Sequence, residues 1–111
     1  MSQNNYLFKE GISSLLLSLL VQQSMYGYQI LKELERKSAG YFNYKEGTLY
    51  PVLHRLEKSG LLSSNWQLLT NGRQRKYYSI TPKGQQHLEE KRVQWHDFFT
   101  AINLLIRPKA F

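Results

Sequence analysis

Gly47-Thr48-Leu49-Tyr50-Pro51-Val52-Leu53-His54-Arg55-Leu56-Glu57-Lys58-Ser59-Gly60-Leu61-Leu62 reads as an amphipathic helix with two chemically different faces. Leu49, Val52, Leu53 and Leu56 recur at the i, i+3, i+4, i+7 spacing of a packed face. Pro51, His54, Arg55 and Lys58 share the same spacing on the opposite side, so one face is apolar and the other basic. Thr48 is expected to cap the first turn. Pro51 is expected inside that turn, where a missing backbone donor costs little because those donors have no intrahelical partner. Gly60 marks the end of the helix.

Downstream, Asn71-Gly72 separates Leu61–Leu69 from Gln74–Thr81, and this dipeptide predicts a two-residue type I′ hairpin. That register sets Trp66 opposite Tyr77 and puts Leu61, Leu69, Tyr78 and Ile80 on the other sheet face, an assignment that a bulge would shift. Arg73, Arg75 and Lys76 surround the turn. Thr81-Pro82 then caps and opens a last helix, on which Leu88, Trp95, Phe98, Phe99, Ile102, Leu105 and Ile106 form a broad apolar stripe.

Upstream, Ile12, Leu15, Leu16, Leu19 and Leu20 predict a first helix up to Val21. Its apolar run is short and lacks the flanks of a leader, so a buried helix is expected rather than a membrane span or signal peptide. Ser24-Met25-Tyr26-Gly27 breaks the pattern. Tyr28, Ile30, Leu31 and Leu34 resume it in a second helix ending around Ser38 to Gly40, whose charged run Lys32 to Lys37 reads as a solvated face. Tyr41 to Tyr44 is either a brief strand or a packed connection.

The chain has 111 residues, 41% of them hydrophobic, which is enough for one core and predicts a single domain over 1–111. Fifteen Lys and Arg against eight Asp and Glu give a net charge of +7, which favours a polyanionic partner, nucleic acid or anionic membrane. The absence of cysteine removes disulfides, thiolate metal sites and cysteine nucleophiles, and accords with a cytoplasmic protein. For an enzyme, His87, His96 and Asp97 are the only suggestive group, and their spacing does not set them on one helical face. No cofactor, metal site or catalytic residue is therefore expected, and no membrane partner. A protein-interaction module whose basic face serves solubility stays open as an alternative.

The order helix, helix, helix, hairpin, helix places the basic helix face beside a basic hairpin, as a DNA-binding protein requires. A helix fits the major groove. Thr48, Tyr50, His54 and Arg55 are candidate readers, Arg55 by a bidentate pair with guanine, whereas Arg73, Arg75 and Lys76 suit phosphates or the minor groove. The plain alternatives are an exposed helix face and charges that guard a sheet edge against aggregation.

The segment Gly47 to Leu62 closely resembles the recognition helix of the PadR family of transcriptional regulators. Tyr26-Gly27-Tyr28-Gln29-Ile30 resembles that family's GY-x-I element, and Arg75-Lys76-Tyr77-Tyr78-Ser79-Ile80-Thr81-Pro82-Lys83-Gly84 its wing strand and helix start. Trp95 lies where many members carry tryptophan, and the chain resembles the short subgroup with a single C-terminal helix. The resemblance implies a mainly α fold with a β-hairpin wing: a winged helix-turn-helix over 6–81 and a C-terminal dimerisation helix over 82–107. Recognition helix 48–59 and wing 61–81 would then meet double-stranded, pseudo-palindromic operator DNA, with Tyr28, Pro51, Lys58 and Tyr77 joining the residues named above. The implied activity is that of a bacterial homodimeric repressor acting near its own gene and often released by a small molecule. Gln74 and Ser79 depart from the more basic wing common in the family.

The stripe on the last helix needs covering. Pairing with the same helix of a second copy, aided by Leu7 and Phe8, would bury it and set two recognition helices roughly 34 Å apart. Trp95, Phe98 and Phe99, with Ile102 and Leu105 in the same stripe, either pack that interface or also line a cleft for a flat aromatic effector.

Overall fold

The computed structural model describes residues 2–107, with side chains described over 10–107. The side chains of Leu7 and Phe8 lie outside the described residues. The chain runs α1 (Ser2–Gln22), β1 (Met25–Tyr26), α2 (Gly27–Lys37), α3 (Glu46–Lys58), β2 (Leu62–Leu68), β3 (Gln74–Ile80) and α4 (Pro82–Ile106). Helix α1 is central: Ile12, Leu16, Leu17, Leu19 and Leu20 are all buried, wider than a single stripe, because other helices and the sheet pack around it. Ile30 and Leu34 of α2, the four predicted core residues of α3, and Leu61, Leu62, Tyr78 and Leu88 complete one core.

The sheet has three antiparallel strands in the order β1-β3-β2. Met25 and Tyr26, read from the sequence as a break, pair with Tyr78 and Tyr77. Two residues are too few to show a period of two, so no alternation announced this strand. The Tyr41 to Tyr44 segment is a packed connection without strand pairing, in which Phe42 stacks on Tyr44 at 6.1 Å.

The hairpin register differs from the expected one by one residue: Trp66 faces Lys76, and Tyr77 faces Asn65. The Leu69 N–H donates to the Arg73 carbonyl at 2.7 Å and the Gly72 N–H to the Leu69 carbonyl at 3.0 Å, so the loop contains Thr70, Asn71 and Gly72. Gly72 takes a φ of +86° while Asn71 stays at negative φ, which excludes type I′ and matches a type I turn closed by a glycine bulge. The Asn71 side chain accepts the Arg73 N–H at 3.0 Å and steadies this turn. Trp66 therefore shares a sheet face with Tyr78 and Ile80, and Leu69 moves to the other.

The beginning of α3 also differs. Lys45 stands at the N-cap with no side-chain cap, so Thr48 lies inside the first turn and Pro51 in the second. The ring of Pro51 removes the bond that would reach the Gly47 carbonyl, and both residues are exposed, which leaves that carbonyl to water. The end agrees with expectation: Gly60 adopts φ +81°, its N–H meets the Glu57 carbonyl at 3.0 Å, and that of Leu61 meets Leu56 at 2.9 Å. Thr81 caps α4 as expected, its hydroxyl accepting from the Gly84 N–H at 3.0 Å.

Only Gly84 and Leu88 of α4 are buried. Gly84 is needed there, because a side chain would run into the Leu61 carbonyl and Ile80 where α4 crosses the hairpin base. Beyond Trp95 the described residues of the helix are exposed except for half-buried Ile102, and the molecule measures 63 × 29 × 28 Å. The result is the mainly helical, winged-helix architecture expected, with one more strand.

Candidate nucleic-acid interface

Burial of Leu49, Val52, Leu53 and Leu56 turns the other side of α3 outward, and Pro51, His54, Arg55 and Lys58 are all exposed. Thr48 and Tyr50 are half-buried. The Tyr50 ring lies against Gly27, where any Cβ would collide with its hydroxyl and ring edge, so this glycine lets α2 and α3 approach closely. Burial, and after it the neighbouring Glu46 and Tyr78, raise the pKa of the Tyr50 hydroxyl and keep it a neutral hydrogen-bonding group.

The wing is fastened to α3 by one carboxylate. Glu57 accepts the Ser64 hydroxyl from β2 and lies 3.3 Å from the Lys76 ammonium on β3. The Ser64 hydrogen bond foremost, and then Lys76 and His54, lower the Glu57 pKa against the opposing effect of partial burial. For Lys76, partial burial opposes the charge, but contact with Glu57 and Tyr78 more than offsets it and the pKa is raised. Lys76 thus points to α3, with its ammonium 5.3 Å from the Tyr78 ring.

On the opposite sheet face the Arg75 guanidinium lies 4.1 Å over the Tyr26 ring, and Tyr26 meets Tyr77 edge-on at 5.5 Å. Tyr77 is half-buried; Arg73 and Arg75 are exposed. Tyr28, exposed near the start of α2, has Lys32 5.3 Å over its ring. Between Glu57 and Glu89 the sequence holds Lys58, Arg73, Arg75, Lys76 and Lys83 and no acidic residue. The folded chain therefore joins the exposed basic face of α3 to a wing without negative charge. Ser79, one of the two departures from a basic wing, shares a hydroxyl hydrogen bond with Ser24, and Gln74 is exposed.

The aromatic residues of α4 divide into two groups. Trp95 faces α1: its indole N–H donates to the Ser14 hydroxyl at 3.0 Å, and its ring lies over Gly11. Phe99 stacks on Trp95 at 5.6 Å and Phe98 meets it edge-on at 5.7 Å. A salt bridge of 2.9 Å between Lys91 and Glu10 joins the same two helices. Beside Trp95 an apolar cleft of about 550 Å³ opens between α1, α4 and the Phe42–Tyr44 connection. Ile102 is half-buried, whereas Leu105 is 85% exposed, with Leu104 and Ile106 beside it in solvent.

Glu57 was not among the expected functional residues. Its position just past Leu56, facing neither the packed nor the basic side, gave no signal without the hairpin register. Among the described residues no three His, Asp or Glu side chains come together as a metal site, and no helix is long and apolar enough to cross a membrane.

Residues 16–90 match the transcriptional regulator PadR-like family. A transcriptional regulator of Mycobacterium tuberculosis, Rv3488, is 43% identical over 68 residues, which are 61% of this chain and 60% of that one. A transcriptional regulator from Clostridium thermocellum superposes with a TM-score of 0.82 at 33% identity, covering 91% of this chain and 98% of that one. A PadR-like transcription factor from Bacteroides fragilis gives a TM-score of 0.81 at 30% identity over 95% and 99% of the two chains. The match to the family spans most of the chain and includes α3 and the wing, so the protein belongs to the PadR-like family of transcriptional regulators.

Proposed function

We propose that this regulator represses a promoter near its own gene, binding a pseudo-palindromic operator as a homodimer inside the bacterial cytoplasm. Residues 48–59 enter the major groove and wing 61–81 follows the flanking backbone or minor groove. The observation that carries this reading is the exposed set Pro51, His54, Arg55 and Lys58, held outward by a fully packed opposite face and continued by Arg73 and Arg75. Arg55 reads a base, with Thr48 and His54 beside it. Tyr28 and Tyr77 serve the backbone, and Tyr50 and Lys76 hold α3 and the wing in place as much as they face DNA.

The exposed end of α4, with Leu105 at its centre, pairs with the same helix of a second copy, and residues 82–107 form the dimerisation element. A footprint on the region upstream of the gene tests the regulatory reading directly. Arg55→Ala is expected to weaken binding to the protected sequence by about 1–3 kcal/mol and to random duplex by much less. Equal losses on both sequences, or no protected region, would overturn it.

A specific feature favours release by an effector: the apolar cleft beside Trp95 has the volume of a small-molecule site, and Ser14, Ser18, Tyr44, Arg92 and His96 supply its polar groups. A flat aromatic compound would stack there on Trp95 and Phe99. Titrating aromatic compounds into a Trp66→Phe variant, with Trp95 as the only indole, is expected to quench its emission and lower DNA affinity. No response at millimolar concentrations would leave Trp95 with its packing role alone.

A further inference from the structure

Two large apolar side chains stand in solvent on the wing: Trp66 is 63% and Leu68 72% exposed. Single exposed hydrophobic residues are ordinary on a protein surface. These two, however, occupy alternate positions of β2 and share one face, and the register shows what that face looks toward. Ser64, one step nearer the body, and Lys76, directly opposite Trp66, are both held by Glu57 of α3. The strip formed by Trp66 and Leu68 therefore continues the side of the wing that faces α3. Arg75 and Tyr26 occupy the other side.

We infer that Trp66, with Leu68 beyond it, is an apolar contact for the deoxyribose edges of a DNA duplex seated against α3. The inference rests on the reading of α3 as the DNA-facing helix and adds a contact of a different chemistry. Charge selects the occupant, because the hairpin that carries the strip also carries Arg73, Arg75 and Lys76, and no acidic residue lies between Glu57 and Glu89. A duplex matches both demands: its phosphates meet the cations of the hairpin, and the sugars of the minor groove offer apolar surface to inserted or overlying side chains. Such a contact adds affinity without neutralising a phosphate, so it persists as salt rises.

The test uses the full chain and a duplex of roughly 30 base pairs from the region upstream of the gene, long enough for two half-sites. In a Trp95→Phe variant, which leaves Trp66 as the sole indole, the duplex is expected to shield its emission from acrylamide. Trp66→Thr, which keeps a β-branched residue in the strand, is expected to weaken binding about tenfold at every salt concentration with the salt slope unchanged. Trp66→Phe should lie between the two. Circular dichroism of the variants confirms that the hairpin still folds. A Trp66 that stays equally quenchable in the saturated complex, or a Trp66→Thr variant that binds like wild type, overturns the inference while the reading of α3 stands. Self-association of the wild-type chain that Trp66→Thr abolishes would assign the strip to a second copy, which also overturns it. Failure of the wild-type chain to bind any duplex would remove that reading and this one together.

Discussion

The Glu57 carboxylate of α3 lies 3.3 Å from the Lys76 ammonium of β3, and the same carboxylate accepts the Ser64 hydroxyl of β2. One side chain of α3 thus touches both strands of the wing and holds together the two parts proposed to meet DNA. It also neutralises a cation that, on sequence alone, suits phosphates, the minor groove or the guarding of a sheet edge. Replacing both partners, as Glu57→Gln with Lys76→Met, leaves the net charge unchanged. The double variant is expected to retain the wild-type salt slope of duplex binding, whereas Arg73→Ala lowers it by about one for each subunit. A similar drop in the double variant would make Lys76 a phosphate contact.

The pair also sets a pH dependence. The folded-state pKa of Glu57 is lowered, so its contribution to stability is complete above the ordinary carboxylate range and is lost as pH falls through the lowered value. The pKa of Lys76 is raised, so its share is complete below the ordinary lysine range and is lost as pH rises through the raised value. Thermal unfolding followed from neutral pH to pH 3 is expected to decline less steeply for Glu57→Gln than for wild type. Parallel acid limbs would show that the carboxylate is not coupled to folding.

Ala39 takes a φ of +53° at the end of α2, between two closing bonds of the kind usually made by glycine: its own N–H to the Arg36 carbonyl and that of Gly40 to Glu35. A methyl group in the left-handed region is costly, though glycine brings more freedom to the unfolded chain. Ala39→Gly is expected to raise stability by about 0.5–1 kcal/mol, measured by urea denaturation with an unchanged m-value. A loss of stability would mean that this helix end is not left-handed.

The apolar stripe of α4 has one job within the chain and a second proposed between two copies, and they can be separated. Trp95 is bonded to Ser14 within the chain, so its removal loosens α4 from α1 whatever the oligomeric state. Leu105, 85% exposed, has no such role. Leu105→Glu is expected to weaken the dimer at least about tenfold in sedimentation while leaving the core intact by near-ultraviolet dichroism. A variant of unchanged mass would place the dimer contact elsewhere.

The helices were legible because their apolar positions repeat over several turns, as at Leu49, Val52, Leu53 and Leu56, and because Thr81-Pro82 and Gly60 mark ends by local chemistry. The features that escaped depend on partners distant in sequence or on local signals that suit two conformations equally. Met25 and Tyr26 are a strand only because Tyr77 and Tyr78 lie beside them. Asn71-Gly72 marked a turn correctly, but the conformation of Asn71 settled between a two-residue and a three-residue loop, and with it the face of Trp66. The start of α3 at Glu46 was hidden because Thr48 and Pro51 both suit a first turn. At the candidate interface, the outward face of α3 could be read from spacing, whereas the link made by Glu57 and the face occupied by Trp66 needed the register.

The most direct test of the whole account is equilibrium binding of the full chain to its upstream duplex and to a random duplex between about 50 and 200 mM salt. The account predicts two chains per operator, a steep linear fall of log affinity with log salt on both duplexes, and preference for the upstream sequence at every concentration. No binding to either duplex at the lowest salt would contradict it.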